Sequence, residues 1–174
     1  MGQPVLHGLV SGFAHGRAFP EIVSPANPAV ATGFTYTVGG NYWERVASIS
    51  FVLTSDGNAA NRAVLLRVKD GSGATLIGIP TAAVQVATKV YTYSYWGQQV
   101  PATDAVGLVN AQPAPSIFLQ PGFTIVVSIG SVQVGDQVSA IRLYMERFDT
   151  GPQGYPVGML EENMYVAEYE RVGN

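Results

Sequence analysis

Arg45-Val46-Ala47-Ser48-Ile49-Ser50-Phe51-Val52-Leu53-Thr54 decides the fold. Ala47, Ile49, Phe51 and Leu53 alternate with Ser48, Ser50, Val52 and Thr54. A period of two places the apolar set on one face of a half-buried strand. Asp56-Gly57-Asn58 follows and marks a turn.

Downstream the same alternation recurs. Val64, Leu66 and Val68 oppose Arg67 and Lys69, and Asp70-Gly71-Ser72-Gly73 then turns the chain into Ala74 to Ile79. This predicts a β-hairpin whose second strand is limited by Pro80. Val84 to Trp96 reads as a further strand region, with Tyr91, Tyr93 and Tyr95 on one parity and Val84, Val86, Val90 and Trp96 on the other. Residues 97–116, with Gly97, Pro101, Pro113 and Pro115, read as a loop. Ile117-Phe118-Leu119 leads to the turn Pro121-Gly122. Phe123, Ile125, Val127 and Ile129 then alternate with Thr124, Val126 and Ser128. Val132 to Val134 precedes Gly135-Asp136, and Ser139 to Phe148 sets Ile141, Leu143 and Met145 against Arg142, Tyr144 and Glu146.

At least six short strands separated by turn signals, with no core helix, predict an all-β jelly-roll or Greek-key sandwich over residues 41–149. The expected core is Ile49, Phe51, Leu53, Leu66, Ile125, Val127, Leu143 and Met145. Residues 1–40 carry Pro4, Pro20, Pro25 and Pro28 and little alternation. They read as an extended N-terminal arm that contacts neighbouring chains, or as a loop lying on its own domain, with one short strand around Pro4 to Leu9. Residues 150–174 open with Gly151-Pro152-Gln153-Gly154-Tyr155-Pro156 and form an irregular or extended tail.

Composition narrows the function. The 174 residues are 47% hydrophobic but only 12% charged, against roughly 25% in an ordinary domain. Through Leu160 there are 8 basic and 8 acidic residues. The net charge of −3 therefore comes from Glu161, Glu162, Glu168 and Glu170 against Arg171. The body has no basic cluster, so a nucleic-acid partner is not expected. No apolar run approaches the ~20 residues of a membrane-spanning helix, so no membrane partner is expected. Met1-Gly2-Gln3-Pro4 has neither the basic nor the apolar region of a secretory signal. Leu6 stands where a myristoylation motif needs Ser or Thr.

Catalytic chemistry finds little support. Cysteine is absent, and the two histidines, His7 and His15, stand without nearby carboxylates. No metal, cofactor or catalytic residue is expected from them. Gly71-Ser72-Gly73 reads as a hairpin turn and not as a nucleophile elbow. Asp56, Asp70, Asp104 and Asp136 all fall in turn contexts, where a carboxylate bonds local backbone. The aromatics have two readings. Tyr42, Trp43, Tyr91, Tyr93, Tyr95, Trp96, Tyr155, Tyr165 and Tyr169 suit a protein interface, where Tyr and Trp are enriched. The tyrosine ladder of 91, 93 and 95 suits first a strand face packed inside its own fold, ahead of an interface and of a platform that stacks sugar rings.

Four segments carry a resemblance: Arg45 to Phe51; Ala60-Asn61-Arg62-Ala63-Val64-Leu65-Leu66; Leu119-Gln120-Pro121-Gly122-Phe123-Thr124-Ile125; and Gly135-Asp136-Gln137-Val138-Ser139-Ala140-Ile141-Arg142-Leu143. Together they resemble the small β-rich structural proteins of tailed bacteriophages, across about residues 45–148. The resemblance implies a non-enzymatic virion component of the capsid decoration or cement type, or another head accessory. Its partners would be the major capsid protein or other virion proteins. It would be a homo-oligomer, with a trimer as one candidate, placed on the capsid surface and assembled in the host cytoplasm. Two other functions stay open. A receptor- or glycan-binding module of a tail fibre requires exposed aromatics in a groove, and a β-sandwich hydrolase requires two facing carboxylates.

Overall fold

In the computed structural model, the described residues are 19–40, 42–81, 84–96, 102–103, 107–110 and 118–149. Among the described residues there are eleven strands: β1 (Phe19–Val23), β2 (Phe34–Thr37), β3 (Tyr42–Thr54), β4 (Ala63–Lys69), β5 (Thr75–Pro80), β6 (Val90–Trp96), β7 (Ala102–Thr103), β8 (Leu108–Asn110), β9 (Phe118–Leu119), β10 (Thr124–Gly130) and β11 (Gln137–Asp149). The described residues contain no helix.

The strands divide into two sheets. One runs β1-β11-β3-β6-β8-β7, with β9 also pairing β3, and the other runs β2-β10-β4-β5. The first four strands pair antiparallel with later ones in reverse order: β1 with β11, β2 with β10, β3 with β6, and β4 with β5. Successive strands on each arm of this ribbon alternate between the sheets. The ribbon is thus rolled on itself, and contacts of β11 with β3 and of β10 with β4 complete the sheets. That topology is a jelly roll.

Between the sheets lies one core. All eight residues expected there are buried, joined among others by Phe34, Val64, Val68, Val138 and Ile141. Phe51 sits at its centre, stacked on Tyr93 at 5.2 Å and 11° and meeting Phe34 edge-on at 5.6 Å. Such ring pairs add roughly 0.5–1.5 kcal/mol beyond the area they bury.

The alternation of β3 is interrupted once. Val46 is opposite Met145 and Ser48 is opposite Tyr144, which leaves Ala47 as the extra residue of a β-bulge. Ala47 is consequently exposed, and buried Val46 takes the core position expected of it. A second bulge on β11 falls between Ser139 and Arg142, where Ala140 has a φ of +48°. Asn27 Oδ1 accepts the Ala140 N–H at 3.2 Å, so the segment after β1 is moored to that bulge.

Several boundaries differ from the sequence reading. Residues 19–40 are not an arm, because β1 and β2 are built into the two sheets; residues 1–18, including the strand expected at 4–9, lie outside the described residues. The strand expected from Val84 begins only at Val90: buried Gln85 makes an isolated antiparallel bridge with Arg62, and a turn at Ala87 and Thr88 separates it from β6. The loop expected at 97–116 contains β7 and β8, and β8 pairs β6 in parallel. Val132 to Val134 belongs to a tight turn closed by Asp136 N–H to the Gln133 carbonyl at 3.0 Å. The tail from 150 lies outside the described residues.

Candidate functional site

Polar side chains concentrate at the two ends of the sandwich. At the end where β3 finishes and β11 starts, Arg62 is fully buried. A guanidinium has five N–H donors, and here each one is used. Nε donates to Asp136 Oδ2 and one Nη2 hydrogen to Asp136 Oδ1, both at 2.9 Å. The other Nη2 hydrogen goes to Asp56 Oδ1 at 2.6 Å. Nη1 donates to the carbonyls of Asn58 and Ala60 at 3.0 and 2.9 Å.

Asp136 also accepts the backbone N–H groups of Asp56 and Gln133, at 2.9 and 2.8 Å. Burial alone would raise its carboxyl pKa, but the Arg62 guanidinium and these N–H groups outweigh burial and hold it below the usual carboxylate range. Desolvation also works against Asp56, and hydrogen bonds from Asn58 and Gly135 again win, leaving it depressed. Gly135 is required here, since a Cβ would meet Asp56 Cβ at 2.8 Å.

Gln85, also fully buried, extends the network. Its Nε2 donates to the carbonyls of Leu53 and Lys89 at 2.9 and 2.8 Å, and its Oε1 accepts the Tyr93 hydroxyl at 3.0 Å. Backbone bonds between Arg62 and Gln85 run in both directions. The cluster thereby ties together residues 55–62, 84–89 and 131–136. Its donors and acceptors are consumed internally, so its chemistry is that of a staple.

At the opposite end, buried Glu44 accepts the Tyr36 hydroxyl on both carboxylate oxygens at 2.9 Å and Arg147 Nε at 2.9 Å. Tyr36 is on the smaller sheet and Glu44 on the larger, so this contact bridges them. Burial, reinforced by Glu44, pushes the Tyr36 hydroxyl up to about 12 even though Arg147 opposes the rise. Arg147 also pairs with Glu21 and lies 5.7 Å over the Tyr42 ring. On the outer face, Arg45 pairs with Glu146, and Phe118 packs on Phe148 at 5.3 Å.

The aromatic candidates separate. Tyr93 and Tyr95 are wholly buried, which corrects their assignment to an interface: their parity matches Phe51 across β3, so they point between the sheets. Tyr91 on the same parity is half-buried and packs against the core. Tyr42 is 41% exposed and Trp43 half-buried, and both stay accessible near the Arg147 end. Trp96 is paired with Ser48 by its backbone. The Trp96 side chain and Tyr155, Tyr165 and Tyr169 lie outside the described residues.

Other apolar side chains are exposed as well. Ile22 and Tyr144 are directly opposite each other on β1 and β11, at 64% and 42% exposure. The sequence reading singles out none of Arg62, Gln85 and Glu44, and takes Asp136 only as a turn carboxylate. Arg62 and Asp136 do sit inside the second and fourth quoted segments, but their separation of 74 residues hides the contact.

No protein-family model matches the chain, and no curated protein matches it. One similar solved structure comes from the T13 IBDV viral particle, at 12% identity and a TM-score of 0.31. The match covers 91% of this chain and 48% of that one, so the chain spans about half the length of its structural neighbour. A TM-score at that level assigns neither function nor partner.

Proposed function

We propose that this chain is a non-catalytic structural subunit of a virus particle, a tailed-phage head accessory of the capsid decoration or cement type. It docks on shell subunits by burying surface and associates with further copies of itself. The observation that carries this reading is the number of exposed apolar side chains beside buried, internally paired charges. Phe19, Ile22, Val30, Tyr42, Leu76, Val84, Val86, Val90, Val134 and Tyr144 are all exposed, while Arg62, Asp136 and Glu44 are turned inward and paired.

Further support comes from the chemistry. Long-range attraction from a body with 8 charges of each sign is weak, so binding rests on shape and apolar burial. The jelly roll is a fold used by viral capsid domains, but also by lectins and cupins, and fold alone does not decide among them. The segments that resemble tailed-phage structural proteins include Arg62 and Asp136, which meet in the staple.

The test mixes purified protein with shells lacking it and measures occupancy and thermal resistance. Shell binding that changes little between about 50 and 500 mM salt is expected, unlike the steep loss of a phosphate-binding protein. Failure to bind shells, together with binding to a glycan or host receptor, would replace this reading with that of a tail-fibre module.

A further inference from the structure

The charges of the sandwich are unevenly settled. Among the described side chains every carboxylate has partners. Glu21 and Glu44 pair with Arg147, Glu146 pairs with Arg45, and Asp56 and Asp136 pair with Arg62. Asp70 accepts the Ser72 hydroxyl and the Ser72 and Ala74 N–H groups inside its own turn. Four cations, Arg67, Lys69, Lys89 and Arg142, form no ion pair among the described residues.

Two of the four stand together. Leu66 and Val68 of β4 are buried, so Arg67 and Lys69 point away from the core on the outer face of the smaller sheet. Residues two apart on one strand face are about 6.7 Å from each other, and like charges at that spacing repel. Lys69 is opposite Thr124 and Thr75, and Arg67 is opposite Val126 and Gly78, so no carboxylate is a cross-strand neighbour of either. Arg67 uses one Nη1 hydrogen on Ser128 Oγ at 3.0 Å, and most of its five-donor fork stays open.

The acid that would answer this pair has to come from outside the described side chains, because a second copy of the sandwich has its carboxylates engaged in the same way. In the chain that leaves Asp104, Asp149, Glu161, Glu162, Glu168 and Glu170, four of them in the tail. Glu168 and Glu170 are two residues apart. In an extended chain they fall on one side, at the spacing of Arg67 and Lys69. Val166 and Val172 continue that side of the tail, and half-buried Leu65 continues the β4 face beyond Arg67. A valine therefore meets Leu65 whichever way the segment runs.

We infer that residues 166–172 lie extended on the outer face of the smaller sheet of their own chain, with Glu168 and Glu170 on Arg67 and Lys69. The nineteen residues from Asp149 to Glu168 span at most about 65 Å, and the thirteen residues of β3 only about 44 Å, so this face is within reach. Exposed ion pairs are weak singly. Attachment to the same chain offsets this, because a flexible linker holds the segment at an effective concentration on the order of millimolar. In dilute solution its own face is therefore filled before that of another copy. The strap withdraws this face from partners at low salt and uncovers it as salt rises. It is independent of shell docking, and its failure leaves that reading untouched.

The experiment is carbodiimide coupling of the dilute full-length protein, read by mass spectrometry. The reagent joins an amine to a carboxylate as an amide, its own urea carrying off the oxygen, so it records groups already in contact. The chain has two lysines, Lys69 and Lys89. Lys69 should link to Glu168 or Glu170 in the monomer, and the yield should fall about tenfold at about 0.5 M salt, where exposed charges are screened. In a mixture of isotope-labelled and unlabelled protein, each link should join two peptides of the same label. The tail variant Glu168→Gln with Glu170→Gln should lose the link while the sandwich melts as before. Exchanging the charges, by Arg67→Glu and Lys69→Glu with Glu168→Lys and Glu170→Lys, should restore a link between the same positions. Absence of the Lys69 link overturns the inference, as do equal yields at Lys89 and links that join labelled to unlabelled chains. A charge exchange that fails to restore the link also overturns it.

Discussion

Arg62 and Asp136, 74 residues apart, form a bidentate pair through Nε and Nη2 at 2.9 Å with no solvent contact on either side chain. Removing one partner strands the other charge in the interior, which costs about 3–5 kcal/mol. Asp136→Asn should lose stability on that scale in urea melts. The double variant Arg62→Met with Asp136→Leu should lose less than the two single losses added together. Additivity of the two would mean that the charges act independently.

Acid should loosen the same end first. The carboxyls of Asp56 and Asp136 are held below their unfolded values. The stability they contribute is present above about pH 4 and drains away as pH falls through their depressed folded values. The melting temperature should therefore drop between about pH 5 and pH 2, and Asp136→Asn should show a flatter profile there. Equal slopes in the two proteins would remove this pair from the acid response.

The two core tyrosines should answer differently to loss of their hydroxyls. Tyr93 donates to Gln85, whereas the Tyr95 hydroxyl is buried without a hydrogen-bond partner among the described residues. Tyr93→Phe should cost about 1 kcal/mol or more, since it also leaves Gln85 Oε1 unpaired. Tyr95→Phe should be neutral or stabilising. Denaturant midpoints at matched slopes compare them directly, and equal losses would contradict the assigned bonds.

Core packing provides another measurement. Phe51→Ala removes the ring between Phe34 and Tyr93 and should cost roughly 3–5 kcal/mol. A cost near zero would place Phe51 outside the core.

Two glycines test backbone space against backbone conformation. A Cβ on Gly33 would lie 1.8 Å from the Val127 carbonyl oxygen, inside the junction of β2 and β10. Gly33→Ala must push strands apart and should cost at least the roughly 1–3 kcal/mol of overpacking. Gly73 has a φ of +88° with nothing near its missing Cβ. Gly73→Ala should therefore lose only the roughly 1–2 kcal/mol of left-handed strain. The reverse order in thermal melts would refute the packing of β2.

Much of the sandwich was legible because alternation survives wherever one face is buried. Ile49, Phe51 and Leu53, like Ile125 and Val127, announce their side of the sheet. The reading failed where local pattern and tertiary role part. Ala47 shares a parity with Ile49, but alanine is small enough for either face, so the bulge left no trace. Strand β1 contains Pro20 and only five residues, and its partner lies more than a hundred positions away, so it resembled an arm. Gln85 sits on the parity opposite Val84 and Val86 and gains its meaning only beside Tyr93 and Leu53. The staple was hidden for a related reason: Asp56 and Asp136 do bond local backbone as turn carboxylates should, and nothing local shows that they also share an arginine.

The rolled ribbon also dictates an order of events during synthesis. The turn between β4 and β5 closes over five residues, held by Asp70, whose Oδ1 accepts the N–H groups of Ser72 and Ala74 at 2.9 Å. That hairpin can form as soon as it is made, because short loops close at small entropic cost. Among the described strands β1 is translated first, yet its pairing partner β11 is translated last. Until the ribosome has delivered residue 147, the Phe19 to Val23 edge has nowhere to go and stays open to other nascent chains. Folding of this chain is therefore expected to be slow, as non-local β topologies are, and the hazard of mispairing falls on β1.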